Sequence, residues 1–272
     1  MSVKDSYSIL SPEDFFESSV DPESGKKSVS DRFAYLKTPA FWKMVFVFSL
    51  FIPILLLTGC ALIITNARRP PPPLLPDIVH QMVPYYPLNR FIDNIMIFII
   101  VSEFFFIVFD SQRFVILRRV GAVYAILCTF RIITMTVTSL PDPSPLCPHA
   151  GEHKIVFNMR GVFKMLTGGL TCGDMIFSGH TIGFLLPCLF HNFYFKKPIG
   201  YIYWALAIIG PIMLIISRLH YTVDVVISFF CTSCVFYIYH IIAENPSTAA
   251  RLPGFVSSYF KLMEWSEIEN QQ

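Results

Sequence analysis

The sequence predicts an all-α polytopic membrane protein, a bundle of six transmembrane helices with both termini in the cytosol. Hydrophobic residues make up 54% of the 272 and charged residues only 15%, too little polar surface to wrap a water-soluble core. Mean hydropathy is +0.55. The apolar residues gather in runs at Phe41 to Thr65, Ile92 to Phe109, Val120 to Leu140, Ile176 to Tyr194, Gly200 to Ile216 and Val223 to Ile242. Each run approaches the roughly 20 residues that a helix needs to cross about 30 Å of hydrocarbon.

Residues 1–38 mix Ser, Asp, Glu and Lys without periodicity and read as a flexible cytosolic tail. The first apolar run follows a long polar leader, as an uncleaved signal anchor does. Residues 39–243 are expected to form the six-helix transmembrane domain, and 244–272 a C-terminal cytosolic tail. The positive-inside rule sets the orientation. Lys26, Lys27, Arg32, Lys37 and Lys43 precede the first span, Arg113, Arg118 and Arg119 fill the second connection, and Lys196 and Lys197 fill the fourth. Arg68, Arg69 and Arg90 on the far side weaken this bias without reversing it. The net charge of +2 carries no functional information, and no nucleic-acid partner is expected.

Three loops lie on the far side, at 66–91, 141–175 and 217–222. The first holds Arg69-Pro70-Pro71-Pro72-Pro73-Leu74-Leu75-Pro76-Asp77, an extended polyproline stretch that serves either as a stiff spacer or as a substrate contact. Cys60, Cys128, Cys188, Cys231 and Cys234 fall in apolar runs as buried small hydrophobes. Cys147 and Cys172 share a polar loop, where an oxidising lumenal compartment would allow a disulfide.

The chemistry-bearing residues stand beside these loops. Before the fourth span runs Cys172-Gly173-Asp174-Met175-Ile176-Phe177-Ser178-Gly179-His180-Thr181, and the sixth opens with His220-Tyr221-Thr222-Val223-Asp224-Val225. On a helix, four-residue spacing puts Asp224 one turn from His220 on the same face, placed to orient the imidazole and stabilise its cation. A histidine that attacks phosphorus needs one ring nitrogen free and the other held, and a second histidine to protonate the departing alkoxide. His180 is the candidate for that acid.

These two segments resemble the catalytic motifs of sphingomyelin synthases, within the wider lipid phosphate phosphatase superfamily. Arg131-Ile132-Ile133-Thr134-Met135-Thr136-Val137-Thr138-Ser139-Leu140-Pro141 is similar to the family's third-helix motif, and Pro72-Pro73-Leu74-Leu75-Pro76-Asp77 to its proline-rich loop with one leucine inserted. The resemblance implies transfer of a phospholipid headgroup, phosphocholine first among them, through a phosphohistidine to the primary hydroxyl of ceramide, releasing diacylglycerol. It implies His220 as nucleophile, Asp224 as its orienting partner and His180 as acid and base. Asp174, Ser178, Gly179, Arg131 and Tyr221 are expected as supporting or substrate-binding members; Asp174 has the alternative of capping the next helix. No cofactor and no metal are implied, and His149 and His153 read as solvated loop histidines beside Glu152, a weaker site candidate. The partners are a phospholipid donor, ceramide and the bilayer, with a homo-oligomer left open. The resemblance places the protein in Golgi or plasma membrane, with its site on the lumenal or extracellular side.

Arg218 precedes His220 by two residues, closer than the arginine of the phosphatases, and fewer cations around phosphorus favour diester transfer over monoester hydrolysis. Ethanolamine or inositol headgroups and a lipid phosphate phosphatase are the alternatives, followed by a catalytically silent lipid-binding protein. Glu103 and Arg131 each fall about eleven residues into their spans and are expected to pair near mid-membrane.

Overall fold

The computed structural model describes residues 36, 38–147, 158–166, 172–195 and 198–265. The bulk of the N-terminal tail, His149, Glu152, His153, Lys196, Lys197 and residues 266–272 lie outside them. The described residues form α1 (Pro39–Arg68), α2 (Ile78–Met82), α3 (Asn89–Val108), α4 (Arg113–Val137), α5 (Met159–Leu166), α6 (Gly179–Tyr194), α7 (Gly200–Ile216), α8 (Thr222–Glu244), α9 (Pro246–Ala249) and α10 (Gly254–Phe260), then a π-helical turn at Lys261–Trp265. No strand occurs among them.

Four helices, α1, α3, α4 and α8, are long and apolar enough to cross a membrane. Their outward faces carry Phe98, Phe104, Phe105, Val226 and Phe230, an apolar exterior that suits lipid rather than water. The chain is therefore a multi-pass membrane protein. α7, with 17 residues, is apolar but shorter, and α6 has 16. At 1.5 Å per residue each is about 25 Å long.

α6 sits at the centre, packed against α3, α7 and α8, while α1 packs along α4. Almost every residue from Thr181 to His191 is buried, so α6 is apolar all round, as a helix without a free face must be. Two glycines let it seat closely. A Cβ on Gly183 would come 2.7 Å from Met96 Sδ of α3, and one on Gly210 of α7 would come 2.7 Å from the Phe184 ring.

Several boundaries differ from the sequence expectation. Arg113, Arg118 and Arg119 belong to the opening turns of α4, which starts seven residues before the apolar run, so they are not a connecting loop. α6 begins at Gly179 rather than Ile176, because Asp174 to Phe177 stay non-helical against α8. The segment read as a C-terminal tail folds back onto the bundle as far as residue 265, burying Phe260 and Met263 in the main core. Glu264 there accepts from Arg118 Nη2 at 3.1 Å, Arg119 Nε at 3.0 Å and the Tyr239 hydroxyl at 3.1 Å.

The expected Glu103–Arg131 pair does not form. Glu103 Oε2 lies 2.8 Å from His191 Nδ1 on α6, and Arg131 pairs with Asp174. Helix rotation aims the two charges at different neighbours, and each finds a closer buried partner. Equal depth in the membrane was not enough to make them meet.

Candidate active site

The N-terminal ends of α6 and α8 meet at one end of the bundle. His180 is the second residue of α6, and His220 stands just before α8. Their ring centroids are 6.1 Å apart. Asp224, fully buried, has Oδ2 at 3.6 Å from His220 Nδ1, beyond hydrogen-bond length but within reach of an ion pair when the imidazole carries a proton on both nitrogens.

Asp224 also ties the two motifs together through the backbone. Its Oδ2 accepts from Tyr221 N at 3.0 Å, the return arm of a capping box at the start of α8. Its Oδ1 accepts from Ile176 N at 2.8 Å, across the gap between the motifs. A second tie lies one turn deeper, where Ser228 Oγ accepts from Ser178 N at 2.5 Å and donates to Asp224 O at 2.6 Å. Ile176 has φ of 77° and Gly173 of 98°. For a β-branched residue that backbone is strained, and the bond to Asp224 helps to hold it.

Ser178 is the N-cap of α6, its hydroxyl accepting from Thr181 N at 3.2 Å. The capping alternative for Asp174 therefore falls away. Asp174 instead receives the Arg131 guanidinium through both Nε and Nη2, a buried two-pronged pair between α4 and the loop before α6. A Cβ on Gly179 would overlap that same guanidinium, so the glycine is there for space.

Tyr221 joins two other segments to the site. Its hydroxyl donates to Pro141 O at 2.9 Å, at the end of the third-helix motif, and accepts from Leu75 N at 3.2 Å in the proline-rich loop. From that loop, Asp77 accepts from Thr222 N at 2.7 Å and from the Thr222 hydroxyl at 2.9 Å, while capping α2. Burial pushes the Asp77 carboxyl up, but the donors from Thr222 and from His80 N outweigh it, and the pKa is lowered. The proline-rich stretch thus touches the α8 motif through its backbone and Asp77. All four segments singled out in the sequence converge here.

Cys147 and Cys172 are joined in a disulfide, which resolves the pairing that the sequence left open. Asp142 accepts from Gly173 N at 3.1 Å and Ser144 N at 2.7 Å, fastening the bridged loop beside His220. Burial raises the Asp142 pKa, and these N–H donors and the neighbouring His220 offset it only in part. Asp142, Cys147 and Cys172 place ligand-type atoms within 4.8 Å of one another. With both sulfurs bound in the bridge, Asp142 alone retains a metal-binding group, and the trio does not make a metal site.

Sequence reasoning missed Asp93. It lies in the second turn of α3, and its Oδ1 sits 3.0 Å from His180 Nε2. The signal was present as an acidic residue at the end of an apolar run that shares its membrane face with both histidines.

Comparison with known proteins matches residues 171–241 to the family described as PAP2 superfamily C-terminal. A relative in Caenorhabditis elegans named phosphatidylcholine:ceramide cholinephosphotransferase 1 is 35% identical over 222 residues, covering 74% of this chain and 47% of its own. Human sphingomyelin synthase-related protein 1 is 27% identical over 223 residues, 76% of this chain and 54% of its own. The phosphatidylcholine:ceramide cholinephosphotransferase 2 of Rattus norvegicus is 28% identical over 231 residues, 75% of this chain and 61% of its own. The matches thus span about half to three fifths of these relatives' length. The fold and these matches define a helical membrane protein of the PAP2 superfamily. Within it, the chain belongs to the sphingomyelin synthase family.

Proposed function

We propose that this protein is a sphingolipid synthase that moves phosphocholine from phosphatidylcholine to the primary hydroxyl of ceramide. The observation that carries the reading is the pair of imidazoles 6.1 Å apart at one end of the bundle, each with its own carboxylate. The relatives' names supply the substrates.

With Asp224 on the Nδ1 side of His220, Nε2 is the nitrogen that attacks phosphorus. The P–N bond forms as the P–O bond to diacylglycerol breaks, and His180 gives its proton to the departing alkoxide. His180, now neutral, takes the proton of the ceramide hydroxyl. That oxygen attacks phosphorus, the P–N bond breaks and both histidines return to their starting states. Asp93, with Oδ1 3.0 Å from His180 Nε2, holds the ring in place. The cycle needs no cofactor, because the donor brings the activated phosphodiester and the acceptor restores the proton.

Arg131, Asp174, Ser178, Gly179 and Tyr221 act as support, holding the two motifs in register. In this reading α6 and α7 complete six crossings together with the residues flanking them. Both termini face the cytosol, and the site opens to the lumen or cell exterior of Golgi or plasma membrane. A disulfide bordering the site supports that side, since thiols persist in the cytosol.

The test is product analysis by thin-layer chromatography, giving purified protein fluorescent ceramide with phosphatidylcholine, phosphatidylethanolamine or phosphatidylinositol in turn. Sphingomyelin from phosphatidylcholine, exceeding the products of the other donors, is the expected result. A preference for another donor would reassign the headgroup. Hydrolysis of a phosphate monoester with no ceramide product would make the protein a phosphatase and overturn the proposal.

A further inference from the structure

α3 and α6 run parallel and meet through two histidine–carboxylate contacts. At the outer end Asp93 faces His180 at 3.0 Å. Ten residues further along α3 and eleven along α6, Glu103 faces His191 at 2.8 Å. At 1.5 Å per residue the contacts are spaced about 15 Å apart on α3 and about 16 Å on α6, so the intervals match. Between them Gly183 admits Met96, keeping the helices close along the shared face.

The two contacts differ in strength. The outer side chains are 25% and 49% exposed, so on its own that pair is a weak anchor. The inner side chains are 0% and 5% exposed. A broken pair there would leave a polar group in the membrane interior, which is costly. His191 is further fixed by stacking on Tyr203 of α7, with ring centroids at 4.5 Å and planes within 10°, and by the edge of Phe106 at 5.0 Å.

We propose that Glu103 and His191 are positioning residues for the transfer reaction: their buried contact sets the register of α6 on α3 and thereby keeps His180 within reach of Asp93. This rests on the reading of His180 as acid and base. One anchor leaves α6 free to slide or turn by the fraction of an ångström that separates a 3.0 Å contact from none. Two anchors at matched intervals remove that freedom. Both inner residues act through the helices they join, about 15 Å from the Asp93–His180 contact.

The test is a double-mutant cycle on purified protein, with kcat and KM for ceramide measured for Asp93→Asn, His191→Phe and the pair, normalised to folded protein. Phenylalanine can keep the stacking on Tyr203 while removing the polar contact to Glu103. Residues this far apart are ordinarily independent, their effects multiplying within about a factor of two. The expected result is a fall in kcat on the order of 10- to 100-fold for each single variant, at nearly unchanged KM, with the double variant no slower than the slower single. Multiplying losses would overturn the inference while leaving the role of His180 intact. An Asp93→Asn variant at wild-type kcat would instead sink the Asp93–His180 coupling on which the inference rests. If His191→Phe does not fold, Glu103→Gln and Glu103→Leu replace it. The amide, which can still bond His191, should restore most of the kcat that leucine loses, and equal kcat in the two would overturn the proposal.

Discussion

Arg131→Met is the substitution whose consequence follows most directly from the packing. The guanidinium grips Asp174 through two nitrogens, with side-chain exposures of 12% and 4%. Methionine fills a similar volume but leaves a buried carboxylate with no counter-charge. Removing one partner of such a pair costs about 3–5 kcal/mol, whereas replacing both with neutral groups is close to neutral. For a domain of this size, each kcal/mol moves the thermal midpoint by roughly 2–4 °C, so a drop of about 6–20 °C is expected. Arg131→Met with Asp174→Asn should recover most of it. Activity should not recover with it, because Asp174 anchors the loop in which Ile176 holds a strained φ of 77° to reach Asp224. Thermal unfolding in detergent, beside the ceramide transfer assay, separates the two effects. A single Arg131→Met variant with wild-type midpoint and rate would refute this account of the pair.

Three further outcomes follow from the same geometry. Gly179→Ala should cut transfer sharply, because its Cβ would enter the space of the Arg131 guanidinium; steady-state rates would check it. Reducing the Cys147–Cys172 bridge, or Cys172→Ser, should lower stability by about 2–4 kcal/mol, as expected for a loop of this length, read as a lower midpoint under reductant. Asp77 has a folded pKa below its ordinary 3.8, so its stabilising contribution is present above that value and lost as pH falls through the depressed one. The gap in thermal midpoint between wild type and Asp77→Asn should therefore be open at neutral pH and close in strong acid.

The helices were legible in the sequence because apolar runs of near-membrane length leave few alternatives, and α7 begins and ends where its run does. Their ends were less so. α4 carries Arg113, Arg118 and Arg119 in its first turns, where hydropathy reads a loop, and Glu264 from the far end of the chain pairs with both Arg118 and Arg119 there. The convergence of four motif segments was legible through the resemblance, but the ties that bring them together were not. Ser178 N to Ser228 and Ile176 N to Asp224 are backbone donors, which leave no mark in residue type. Pairing of buried charges was the poorest inference. Depth in the membrane suggested Glu103 with Arg131, whereas rotation about the helix axes gave Glu103 to His191 and Arg131 to Asp174.

The central claim is that a lipid headgroup rests covalently on His220 between donor and acceptor. Incubating the protein with phosphatidylcholine labelled in its choline, without ceramide, followed by rapid quenching and peptide mapping, tests this directly. The account predicts label on the peptide containing His220, one diacylglycerol released per label, and discharge as sphingomyelin when ceramide is added. Diacylglycerol that appears only once ceramide is present, with no labelled peptide at any time, would contradict it.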